Sequence, residues 1–159
     1  MNSIHDTSYL HGFTDAAFNF QNDNQGKGGK GNDRVTISVQ DSAATDNADF
    51  STPADGSSGH MRMFLWDLTN VCAFMTPSSC LNSRPLQPER DGALENNIVS
   101  HENTHGITNR MTGGGTGRCL QTNEAGRMGE GWSDTMADWL ENDSKISDFV
   151  MGKRAPSPP

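Results

Sequence analysis

Long apolar runs are missing from this chain. No stretch approaches the ~20 residues that a bilayer-spanning helix needs, so the sequence argues against a membrane-embedded protein. Positive charge is scarce as well: 12 Lys and Arg stand against 20 Asp and Glu, for a net charge of −8. An acidic surface repels phosphate backbones, which makes nucleic acid a poor partner. Cysteine is limited to Cys72, Cys80 and Cys119. An odd count leaves at least one thiol unpaired, and none has the spacing of a cysteine zinc site. Cys72 and Cys80 are close enough in sequence for a small disulfide-closed loop, but nothing requires one. Tyrosine occurs once and aromatic residues make up 7%. The apolar share is 32% and the mean hydropathy −0.70. With 159 residues, including 17 glycines, this reads as one loop-rich globular domain. No secretory signal follows Met1, which points either to a cytosolic protein or to a chain without its natural N-terminus.

What is present has a readable texture. Ile4 to Phe20 is predicted as an amphipathic helix, with apolar residues recurring every three to five positions. Gly26 to Gly31 is a flexible loop. A phosphate loop needs Gly-Lys followed by Ser or Thr, whereas Lys27 and Lys30 are each followed by Gly. Arg34 to Gln40 alternates as a half-buried strand with Val35, Ile37 and Val39 on one face. Asp41 to Gly59, rich in Asp, Ser, Asn, Pro and Gly, reads as an irregular surface loop. His60 to Leu68 reads as a second strand, with Met61, Met63 and Leu65 on one face. Val71 to Gln87 breaks the pattern, carrying two cysteines, two prolines and no usable periodicity.

A helix is predicted over Ala93 to Asn109, with Leu94, Ile98, Val99 and Ile107 as its apolar positions. Gly113 to Gly117 must be a loop. Asn123 to Asn142 is predicted as a last helix that buries Met128, Trp132, Met136, Trp139 and Leu140. Gly126, Gly129 and Gly131 weaken it in isolation by roughly 1 kcal/mol each relative to Ala, but let a neighbour approach closely. Pro156 to Pro159 is a tail that cannot pack.

The chemistry lies in His101-Glu102-Asn103-Thr104-His105. Positions i and i+4 share a helix face, so both imidazoles can close on one metal ion, with Glu102 placed to reach a water on that metal. This is the H-E-x-x-H pattern of zinc peptidases. A catalytic zinc usually takes three protein ligands and keeps a fourth position for water. Glu130 is the best third ligand. Asp134, four residues on, can accept the other N–H of His101 and fix its ring. Glu102 is then the general base, taking a proton from metal-bound water as it attacks a peptide carbonyl.

The short motif also arises by chance or in structural roles. A structural zinc module would close the fourth position with another protein ligand. His5, His11 and His60 read as structural or surface histidines. Glu124 reads as a solvated first-turn acid or a carboxylate behind a ligand.

With these residues placed, the chain resembles the fungalysins, secreted fungal zinc metallopeptidases. The resemblance is carried by Ile4-His5-Asp6, Gly12-Phe13-Thr14, Ala17 to Gln21, Gly31 to Val35, Met61 to Phe64, Arg90 to Asn96, His101 to Gly114 and Glu124 to Asp134. It implies an α+β, thermolysin-like (gluzincin) catalytic domain, incomplete here and spanning residues 1–152. It also implies one Zn2+ ion, broad endopeptidase activity on proteins or peptides, an extracellular location, and a propeptide in the full-length precursor. It supports His101, His105 and Glu130 as ligands and Glu102 as base. It places Met61, Arg62, Met63 and Phe64 at the cleft edge, where a peptide adds as an extra strand.

Three departures stand out. The family's signal peptide, propeptide and preceding catalytic sequence are absent. Residues 71–87 have no counterpart, and removing them joins Thr69-Asn70 to Pro88-Glu89-Arg90-Asp91 as uninterrupted family sequence. The chain leaves the family pattern after Gly152, so 153–159 reads as a disordered tail, and a downstream histidine donor to the oxyanion is missing. Val71-Cys72 and Gln87 have codons that fit an intron donor and acceptor, and Gly152-Lys153 fits a second donor. Unspliced sequence is the expected origin of both oddities, and sequencing the mature transcript tests it. The alternative to an active peptidase is a catalytically inactive truncated fragment or a structural zinc-binding module.

Overall fold

The computed structural model describes residues 2–67 and 89–142. The segment 71–87, with its cysteine pair, and the tail from 153 lie outside the described residues. Helix α1 (Asn2–Leu10) leads through a 3-10 turn (Asp15–Ala17) to strands β1 (Thr36–Thr45), β2 (Ala48–Ser51), β3 (His60–Trp66) and β4 (Arg90–Asp91). A second 3-10 turn (Gly92–Leu94) precedes the long helices α2 (Asn96–Thr112) and α3 (Asn123–Glu141). The result is a mixed α+β arrangement, with α2 between the sheet and α3.

The predicted first helix stops about half-way. Gly12 has φ +109° and Phe18 φ +67°. Gly12 reaches that region freely, so the chain turns there and Phe13 and Phe20 fold inward. The strand prediction at 34–40 also shifts. β1 runs to Thr45 and leaves Ile37 and Val39 exposed; of the expected face only Val35, just before the strand, packs against the core.

The expected loop 41–59 contains the end of β1 and all of β2. Its polar composition hid them, because β2 is a short strand with one free edge. At Asp46 and Asn47 the chain passes from one side of β3 to the other. The Asp46 N–H donates to the Leu65 carbonyl (2.9 Å) and the Phe64 N–H to the Asn47 carbonyl (3.3 Å).

Strand order corrects one expectation about the site. β3 pairs in parallel with β1 through Thr36↔His60 to Ser38↔Arg62, and antiparallel with β2 through Ala48↔Met63 to Ser51↔His60. β4 takes Leu65 and Trp66. Met61, Arg62, Met63 and Phe64 therefore belong to an interior strand with both edges occupied, and cannot receive a peptide. Met61 and Met63 are fully buried instead. Among the described residues the outer edge nearest α2 belongs to β2.

The core lies where this sheet meets α2. Ala48, Met61, Met63 and Ile98 form one cluster, and Phe13, Phe20 and Ile107 a second; Val35 and Phe50 pack against both. Leu94, expected on the apolar face of α2, sits in the 3-10 turn and is exposed. Gly106 makes the close fit possible: a Cβ there would stand 2.7 Å from the Phe50 ring and 2.9 Å from Phe20.

Helix α3 buries a stripe beside its predicted face, where Met136 and Leu140 are half-buried. It starts at Thr122, whose Oγ1 accepts the Ala125 N–H, and ends at Asn142 in the left-handed region. Its buried residues are Gly129, Ser133 and Ala137. They fall at intervals of four, one helical stripe that lets α3 approach α2 closely. Met128, Trp132 and Trp139 point outward and are exposed. Periodicity located the helix correctly, but apolar size missed the small residues that pack most tightly.

Candidate metal centre

His101 and His105 stand one turn apart on α2, their Nε2 atoms 3.0 Å from each other. Neighbouring Ser100, Glu102, Asn103, Thr104 and Gly106 are buried, so the helix is held on most of its circumference. Glu130 reaches across from α3, its Oε2 3.1 Å from His101 Nε2 and 3.3 Å from His105 Nε2. The small-residue stripe Gly129-Ser133-Ala137 brings α3 close enough for this contact. Asp134, one turn after Glu130, places Oδ1 2.8 Å from His101 Nδ1. A carboxylate oxygen only accepts, so Nδ1 donates there, and the ring is turned with Nε2 facing the cluster.

All ligand atoms of His101, His105 and Glu130 lie within 4.8 Å of one another. Two imidazole nitrogens and a carboxylate oxygen are a zinc donor set. Their mutual separations are close to the ~3.3 Å that tetrahedral bonds of ~2.0–2.1 Å imply. Burial lowers the pKa of His105, against the opposing pull of Glu130, which favours the neutral imidazole that binds metals. The donor set therefore fits one divalent ion. Among the described residues, no fourth His, Cys or carboxylate joins the three.

Glu102 is buried, and its pKa is pushed up to about 8, first by desolvation and then by the charges of Glu130 and Asp49. A carboxylate poised near neutrality is suited to take and release a proton in turnover. Asp49 was not singled out from the sequence. It lies on β2, and its Oδ1 accepts from Arg62 Nε at 2.9 Å across the β2–β3 pair. Only strand register brings it near the centre, and no local signal at Asp49 announces that. Glu124, also weighed from the sequence, is exposed at the start of α3. His60 bonds to Ser38 Oγ (2.9 Å), His5 stands beside Asp6 and Gln21, and His11 packs edge-on to Trp139.

Residues 1–157 match the sequence profile of the Fungalysin metallopeptidase (M36) family. The chain belongs to that family. It is 46% identical over 156 residues to the extracellular metalloproteinase MEP of Pyricularia oryzae, covering 96% of this chain and 22% of that protein. With the extracellular metalloproteinase mep of Aspergillus flavus the identity is 46%, over 97% of this chain and 22% of the relative. With extracellular metalloproteinase 4 of Arthroderma otae it is 43%, again over 97% and 22%. The chain thus spans about a fifth of the length of these fungalysins, and that fifth contains the histidine helix and its carboxylate partner.

Proposed function

We propose that this chain carries the metal centre of a zinc-dependent endopeptidase that hydrolyses peptide bonds in proteins, on a thermolysin-like catalytic domain. His101, His105 and Glu130 hold one Zn2+, and Asp134 orients His101. A zinc ion bound there supplies Lewis acidity, polarising a substrate carbonyl and acidifying water. Glu102 accepts the proton of the attacking water and returns it to the leaving amine. The outer edge of β2, at Ala48–Ser51, receives the substrate as an added strand, in place of the interior Met61–Phe64. The full-length precursor carries a propeptide and the mature enzyme is secreted, in keeping with the names of its extracellular relatives.

One observation supports this reading above the rest: three donor atoms from two helices converge beside a buried carboxylate one residue from the first ligand. A structural zinc module needs a fourth protein ligand, and the cluster supplies three among the described residues. An inactive fragment is the second reading, favoured by the exposure of Met128, Trp132 and Trp139.

Zinc content and peptide cleavage, measured on this chain and on Glu102→Gln, separate them. For the enzyme, the variant keeps its zinc and loses ~10²–10⁴ of the rate. Zinc without cleavage in either protein rejects activity in this chain; no zinc in either rejects the metal centre itself.

A further inference from the structure

Two glycine runs remain unused by the metal centre: Gly26 to Gly31, with its two lysines, and Gly113 to Gly117. Far apart in sequence, they meet in one cleft of about 410 Å³ lined by Phe18, Lys30, Ala54, Asp55, Gly115 and Arg118, among others. We propose that this cleft binds a carboxylate carried on an apolar body, specifically the free C-terminal end of a peptide whose last side chain is apolar. The site stands apart from the metal centre and does not depend on it.

Charge supports the first half of the assignment. In a chain of net charge −8, Lys30 and Arg118 bring two cations to one cleft. Neither side chain forms an ion pair among the described residues. The acid beside them is already engaged: Asp55 Oδ2 accepts the Lys30 backbone N–H (2.8 Å), and Asp55 Oδ1 accepts from the buried Arg110 (3.3 Å). The cleft therefore presents uncompensated positive charge. A single carboxylate can be met by both cations, with charge-assisted hydrogen bonds.

The walls support the second half. A phosphate cradle needs several free backbone N–H groups converging on the anion. Here several of those groups are spent: Gly115 N–H donates to the Arg110 carbonyl (2.9 Å), Thr116 to Gly113 (3.2 Å), and Asp55 to Gly115 (2.8 Å). What remains between the cations is apolar, the Phe18 ring, Ala54 and the glycine backbone. Gly115 is buried with φ +78°, and a Cβ there would stand 2.8 Å from the Phe18 ring, so glycine lets that ring lie against the backbone and form the wall. An apolar side chain seated there, with its carboxylate on Lys30 and Arg118, leaves no charge unpaired.

The test is a titration followed in the amide NMR spectrum of the full chain. The probes are N-acetyl-L-phenylalanine, its C-terminal amide and inorganic phosphate. N-acetyl-L-phenylalanine should shift the amides of Lys30, Asp55 and Gly113 to Gly117. The amide analogue should bind at least about tenfold more weakly, the loss expected for one charged hydrogen bond, and so should phosphate. Lys30→Gln with Arg118→Gln should abolish the shifts. Because the Lys30 stem packs on Gly56, Arg118→Gln alone, at an exposed position, is measured too and should weaken binding with the rest of the spectrum unchanged. The proposal is overturned by no shifts at these amides, by equal binding of the amide analogue, or by shifts that survive the double variant. Phosphate binding as tightly as the carboxylate makes it a bare anion site and overturns it too.

Discussion

At the residue scale, the centre is governed by two carboxylates of opposite task. Glu102 is buried and tuned by it, whereas Glu130 stays largely exposed and reaches the two imidazoles from α3. In the metal-free chain Glu102 titrates at about 8 against an ordinary value of 4.5. A folded-state pKa above the unfolded one means that folding takes up a proton between these values. The stability this provides is complete below pH 4.5 and falls as pH rises toward about 8. Glu102→Gln should remove that slope, leaving the variant more stable than the parent at pH 8 by ~1–3 kcal/mol. Denaturant melts in EDTA across this range check it, and parallel pH profiles for the two proteins would refute it. Asp134 works at one remove, through the Nδ1 of His101. Asp134→Asn should weaken zinc binding 10–100-fold with the fold intact, read by competition with a chromogenic chelator; an unchanged affinity would mean that the carboxylate does not hold the ring.

At the element scale, α2 has to be anchored at both ends of its ligand stretch. Its C-terminal anchor is Arg110, fully buried, with Nη1 3.0 Å from the equally buried Asp33. Its other donors reach the carbonyls of Pro53, Phe18 and Ser57, and its guanidinium lies 4.2 Å from the Phe20 ring centre. Arg110→Met strands the Asp33 charge without its partner, so it should cost ~3–5 kcal/mol, measured by denaturant unfolding. A loss under 1 kcal/mol would show that Asp33 finds another donor. The elements also explain what could be read in advance. The convergence of His101, His105 and Glu130 was legible because its signal is local: two histidines at i, i+4 and a Glu-x-x-x-Asp pair on a second helix. β2 and Asp49 were not, because a four-residue strand in polar sequence has no periodicity to detect. The buried side of α3 was misread because Gly129, Ser133 and Ala137 pack by being small, whereas the scan for buried faces weighted bulk.

At the scale of the whole molecule, the candidate ligands His101, His105 and Glu130 come from two helices that meet along a stripe of small side chains. Two of them stand on α2 and the largely exposed Glu130 on α3, and α3 buries only Gly129, Ser133 and Ala137 against its surroundings, a modest apolar contact. Glu130 also stands near enough to the buried Glu102 to set two acids against each other, a charge effect that adds to burial in raising the Glu102 pKa. A divalent cation relieves both problems, since it attracts each acid and bridges the helices. Zinc should therefore stabilise the fold as well as equip it for chemistry. At a free concentration 100-fold above its dissociation constant, the linkage gain is ~2.7 kcal/mol. For a chain of this size that is a rise in Tm of roughly 5–15 °C, reversed by EDTA. Glu130→Ala should lose most of the rise, because two imidazoles on one helix can hold zinc without tethering α3. Thermal unfolding of both proteins, with and without zinc, checks the point. An equal zinc-induced rise in Glu130→Ala would mean that the ion does not join the helices, and the three-ligand centre would fall with it.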